Sequence, residues 1–162
     1  MNTSKVRDIL HAKKLERIKA AEAEASRLIN TIGINSQSKL IALAMMYWCE
    51  GGKNDRSIQF TNSDPKLAKA FISLLKDIFF VDQKMIRVCI HLHDYHKENE
   101  IRMFWSEALG VPQSQFVNSF HKKSKHLYSK KDYKGCVQIK YHNSHITRVL
   151  LAFAQKLINL YI

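Results

Sequence analysis

The hydrophobic and polar positions of this chain change period several times. Residues 4–30 contain no helix breaker, and Ile18, Ala21, Ala25, Leu28 and Ile32 step by three and four. That spacing predicts a long N-terminal helix with one narrow apolar stripe. Gly33 and the polar stretch 35–38 close it and cap the next helix. Leu40–Cys49 is apolar on every side, which predicts a helix buried all round, ended by Gly51 and Gly52. Ser57–Asn62 alternates as a strand does. Ser63-Asp64-Pro65 then combines a capping acid with a first-turn proline, and predicts a helix with Leu67, Phe71, Leu74, Leu75 and Ile78 on its core face. Met85–His93 alternates again. Glu98–Leu109 reads as a short helix with Ile101, Trp105 and Ala108 inward, closed by Gly110 and Pro112. Gly135–His142 is a third alternating run, and Ser144 is the expected cap of a last helix carrying Ile146, Leu150, Phe153 and Leu157. Between them, 116–133 has no clear period and leaves room for one more strand.

Strands separated by helices, with one apolar parity per strand, predict an α+β fold: a mixed or antiparallel sheet with helices on one face. Residues 1–36 form a helical arm or linker in this reading, and 37–162 form the domain. The apolar parity is Ile58 and Phe60; Val88, Ile90 and Leu92; Val137, Ile139 and Tyr141. The opposite parity reads Gln59 and Thr61; Arg87, Cys89, His91 and His93; Cys136, Gln138, Lys140 and His142, with no acid among them. A solvated sheet face ordinarily mixes in Glu and Asp. Arg, Lys, Gln and Thr are the side chains that grip phosphates and read base edges.

Charge strengthens this reading. The chain carries 26 Lys+Arg against 14 Asp+Glu, a formal net charge of +12. Residues 111–162 hold 9 basic groups and 1 acid, including the lysine-rich stretch with Lys122, Lys123 and Lys125. Such a patch attracts polyanions. No apolar run approaches the roughly 20 residues of a membrane span, and the N-terminus has charge where a signal peptide has its apolar core. The 3 cysteines are far apart, which fits a reducing compartment rather than a disulfide framework. The expectation is a protein of the cytoplasm or of another intracellular compartment containing DNA. Cys89, His91 and His93, with Cys136 or His142 across the sheet, have ligand chemistry for zinc, but the CxxC-type spacing of structural zinc sites is absent.

Glu50 stands apart. A carboxylate at a helix C-terminus opposes the negative end of the macrodipole, and a hard divalent cation such as Mg²⁺ would reverse that cost. Leu43–Gly51, LAMMYWCEG, resembles the nine-residue motif of the LAGLIDADG homing endonucleases, inteins and related DNA-binding regulators. Leu43 and Ala44 match, Met46 takes an apolar position, and Glu50-Gly51 falls on the acid-glycine end. The order of the later segments is similar to compact bacterial and phage members: YW-x-EG-x-K, FTNSDP, a strand with HLH, FW, then QF, across roughly residues 38–150.

The resemblance implies motif helices that pair across a homodimer, each presenting Glu50 as catalytic metal ligand, beneath a sheet that lies on double-stranded DNA. It leaves open a DNA-binding regulator without cleavage, or a Mg²⁺-dependent site-specific endonuclease using Glu50 from two subunits. Lys122, Lys123, Lys125 or Lys140 would then stand near the scissile phosphate. Nucleic-acid contacts fall to Gln59, Thr61, Arg87, His91, His93, Lys122, Lys123, Lys125, Gln138, Lys140 and His142. Met45 occupies a position that is small in the family. Only nine residues separate Glu50 from Phe60, so the first strand of the family's hairpin is expected to be very short or missing. A third alternative is an interaction module with no nucleic-acid role, in which Glu50 pairs with Lys53 or Arg56.

Overall fold

The computed structural model of the chain describes residues 3–122 and 132–162. Two compact units emerge, the first ending at Asn35 and the second spanning Ser36–Ile162. The first is a single 29-residue helix, α1 (Thr3–Thr31), rich in Ala, Lys, Glu and Arg, the residues that lose least on becoming helical.

The second unit is α+β. Its elements are α2 (Ser36–Glu50), β1 (Ile58–Asn62), α3 (Pro65–Phe79), β2 (Arg87–His93), α4 (Glu98–Leu109), β3 (Phe120–Lys122), β4 (Cys136–Tyr141) and α5 (Ser144–Ile158). The strands form one mixed sheet in the order β1-β4-β2-β3, antiparallel except for the parallel pair β2 and β3. One parity of every long strand is buried against the helices: Ile58, Phe60, Val88, Ile90, Leu92, Val137 and Ile139 are all closed to solvent. Leu43 and Tyr47 of α2, Phe71 and Leu75 of α3, Trp105 of α4 and Leu150 of α5 complete that core. Phe60 and Phe71 stack at 4.1 Å with their planes 5° apart, which ties β1 to α3.

The helix starts follow local chemistry. The Asp64 carboxylate accepts from the backbone amides of Lys66 and Leu67, at 2.8 and 3.4 Å, with Pro65 in the first turn. At α5 the cap is Asn143 rather than the expected Ser144. Its side chain accepts from the Ile146 amide at 3.0 Å, and Ser144 is the first helical residue.

Two expectations about these elements need correction, and one open question is answered. α2 is not buried all round: Leu43, Ala44 and Tyr47 are enclosed, while Ile41 is 43% exposed and Ala42, Cys49 and Glu50 are exposed. Uniform apolarity hid the direction of the core, which the packing of α3, α5 and β1 against one side of α2 decides. Met85 lies not in a strand but in a 3-10 turn over Gln83–Met85, capped by Asp82, and is mostly exposed. The stretch without a clear period does contain a strand, the short β3. Its partner β2 holds it, with His91 opposite Phe120 and His93 opposite Lys122.

A candidate nucleic-acid interface on the open face of the sheet

The turn between α2 and β1 is built around two close approaches. The Gly51 amide donates to the Tyr47 carbonyl at 2.8 Å, and the Gly52 amide donates to Gln59 O at 2.7 Å. Gly51 also forms one isolated antiparallel bridge with Phe60, and that bridge is all the strand character between α2 and β1. The Tyr47 ring fills the space beneath the turn. Its hydroxyl is shut away from water beside the Gln59 backbone without a well-formed hydrogen bond. Burial pushes that hydroxyl above its ordinary pKa, and the Gln59 backbone offsets part of the rise.

Glu50 is exposed at the last position of α2, and no ion pair or hydrogen bond to it occurs among the described residues. The expected pairing with Lys53 or Arg56 is not made. Lys53 instead donates through Nζ to the Trp48 carbonyl and lies 4.9 Å from the centre of the Trp48 ring. A cation on the terminal carbonyls neutralises the negative end of the helix dipole. Asp55 pairs with Arg148 at 2.9 Å, and the Arg56 amide donates to the Asn54 side chain. Glu50 is thus an unengaged hard-oxygen donor. Its single carboxylate fits a divalent cation when the remaining oxygens come from outside the chain.

On the sheet, register gathers the polar parity into rows. Lys140 stands opposite Gln59 on one side and Arg87 on the other, and Gln138 stands between Thr61 and Cys89. His91 lies between Cys136 and Phe120, and His93 is opposite Lys122. Gln59, Thr61, Arg87, His91, His93, Gln138 and Lys140 are half-buried, and Lys122 is exposed. No Asp or Glu occurs at any of these positions. The juxtaposition of Lys140 and Arg87 would be destabilising in isolation, since like charges directly opposite repel. The Arg87 guanidinium turns toward the end of the strand and donates to the carbonyls of Lys84 and Ile86, at 2.7 and 3.0 Å.

His91 is held below the ordinary histidine pKa by partial burial first, then by the positive charges of Lys122 and Lys140. It is therefore neutral at neutral pH, and can both donate and accept hydrogen bonds. Beyond it, His93 stacks on Tyr95 with centroids 5.4 Å apart. His96 accepts the His93 amide through Nδ1 at 2.9 Å, so its Nε2 carries the proton and donates to Tyr133 O at 2.9 Å. This aromatic group at the end of β2 was not visible from the alternation of the strand, because Tyr95, His96 and Tyr133 lie outside it.

The zinc arrangement is not assembled. The Cys89 thiol is buried against Asn118 O at 3.4 Å, and Cys136 Sγ sits 3.0 Å from the Tyr133 hydroxyl. Among the described residues no three His, Cys, Asp or Glu side chains converge on a common point. His142 is exposed just past the end of β4, off the rows that register defines. Lys123 and Lys125 lie outside the described residues. No described helix is long and apolar enough to cross a membrane. The chain matches no protein-family profile and no curated protein sequence.

Proposed function

We propose that this chain is a double-stranded DNA-binding protein of LAGLIDADG homing-endonuclease-like type, acting as a homodimer. The observation that carries the reading is the acid-free sheet face, where register aligns Gln59, Lys140 and Arg87 across three adjacent strands. A phosphate seated beside Lys140 would neutralise its charge, with Arg87 on the neighbouring strand within reach to add a second cation. Gln59, Thr61 and Gln138 beside it have the donor and acceptor groups that distinguish base edges in the major groove. The homodimer is supported by α2, whose uncovered side carries Ile41, Ala42, Met45 and Cys49.

Titration of labelled duplex libraries at several salt concentrations tests the reading. Lys140→Gln should weaken binding and lower the slope of log K against log salt by about 0.9 for each phosphate it no longer neutralises. Lys69→Gln on α3 removes the same charge from the helical side of the sheet and should leave the slope unchanged. Equal slopes for both variants, or no duplex binding by the wild type at low salt, would overturn it.

Unpaired Glu50 favours a second reading, a Mg²⁺-dependent endonuclease. Magnesium supplies Lewis acidity at a phosphodiester. The chain's contribution is the position of the carboxylate, which the Gly51 turn fixes at the end of α2. Mg²⁺-dependent cleavage of a plasmid library that Glu50→Gln abolishes, with binding retained, selects the enzyme. Binding without cleavage by both proteins selects the regulator.

A further inference from the structure

Every residue of α1 with a described side chain is exposed apart from the half-buried Val6. Ile9, Leu10, Leu15 and Ile29 are scattered around the helix and exposed, but the other large apolar residues from Ile18 onward are ordered. Ile18, Ala21, Ala25 and Leu28 of α1, with Ile32 just past its last residue, alternate by three and four, the a and d spacing of a heptad. Ile18, Leu28 and Ile32 are 42, 54 and 51% exposed. The exposed ion pair Arg27–Glu24, at 3.6 Å, adds little to the helix. The stripe has the geometry of one half of a seam.

We propose that α1 pairs with α1 of a second copy of this chain as a short, parallel, in-register coiled coil over residues 15–32. Charge complementarity identifies both occupant and orientation. With the stripe at a and d, Arg17 falls at g and Glu22 at the following e. In a parallel pair each g faces the next e of its partner, so Arg17 of one copy meets Glu22 of the other, twice by symmetry. The remaining g/e pair along the seam joins Glu24 to Ile29, without a clash of like charges. Toward the N-terminus the a and d positions hold Lys14, His11 and Arg7, which end the seam. The pairing is local to α1 and stands whether or not α2 and the sheet face act as proposed above.

The test uses the full chain with exposed substitutions in α1, which leave the core of the second unit untouched. Sedimentation equilibrium should show Arg17→Glu and Glu22→Arg each weakening self-association about tenfold, as attractive pairs become repulsive ones. An equimolar mixture should recover wild-type affinity, because both cross-pairs are then attractive. In a Cys49→Ser background, Leu28→Cys at a d position should form a disulfide between copies under mild oxidation, and Ala23→Cys at the outer f position should not. Wild-type association by both charge variants overturns the proposal, and so does a mixture no tighter than its components. Preferred cross-linking of Ile18→Cys to Ile32→Cys would show an antiparallel pair and overturn it as well. Loss of duplex binding by Lys140→Gln bears on the sheet face alone, so the two readings fail separately.

Discussion

Replacing Gly51 by alanine places a methyl group where the structure has no room. A Cβ built on Gly51 lies 2.4 Å from Tyr47 Cδ2, 2.5 Å from Cε2 and 2.4 Å from the Tyr47 carbonyl oxygen. The ring cannot swing aside freely, since Tyr47 is closed to solvent and stacks on Phe71 at 6.1 Å. The carbonyl cannot move without losing its 2.8 Å bond from the Gly51 amide. Overpacking of this kind costs about 1–3 kcal/mol, and the strained hydrogen bond adds about 1 kcal/mol. Against that stands a gain of about 0.4–1 kcal/mol from a less flexible unfolded chain. The net expectation is a destabilisation of about 2–3 kcal/mol in urea unfolding at 25 °C. Gly33→Ala is the reference, because its Cβ would approach nothing nearer than the Asn35 side chain at 3.9 Å, and it should be neutral or slightly stabilising. If the two substitutions have the same effect, the close approach of Gly51 to Tyr47 does not constrain the turn. Any Gly51→Ala protein that still folds should also carry a displaced Glu50.

Two more outcomes concern a helix end and a surface carboxylate. Phe80 caps α3 with φ 50°, a left-handed conformation that a β-carbon disfavours, and its side chain is 89% exposed. Phe80→Gly should therefore stabilise the domain by about 1 kcal/mol in thermal or urea unfolding. The Glu98 carboxyl is held below its ordinary value, chiefly by the 2.7 Å hydrogen bond from Ser119, then by the charges of His121 and Arg102. A depressed carboxylate stabilises the fold above its unfolded pKa and loses that contribution as pH falls through the folded one. The stability gap between wild type and Glu98→Gln should be full near neutral pH and should close below about pH 4.5, the unperturbed value. A gap that widens on acidification would reverse the sign of this reasoning.

The sequence exposed most clearly those elements whose signals are local. Asp64 and Pro65 announce α3 because capping and φ restriction act within one turn, and the alternation of β2 survives because its two faces differ in chemistry. α2 carries no such contrast: Ile41 and Leu43 are equally apolar, and only the tertiary arrangement makes one solvent-facing and the other core. β3 is three exposed residues, and pairing with β2 defines it. The candidate face was legible as a parity, since strand geometry sends alternate residues to one side. Its rows were not, because register is set between strands distant in the chain. The engagement of Lys53 with Trp48 rather than with Glu50 likewise depends on how α2 ends.

The position of Lys53 over Trp48 gives this protein an optical handle. The chain has 2 tryptophans. Trp105 is sealed in the core with its indole N–H on Lys134 O at 2.8 Å, so its emission is insulated from solutes. Trp48 is half-buried two residues before Glu50, and its environment changes with whatever displaces the Lys53 ammonium. Steady-state fluorescence and its collisional quenching therefore resolve the motif end of α2 from the rest of the domain without a label, and a metal ion or a polyanion arriving beside Glu50 would be seen in the light from one indole.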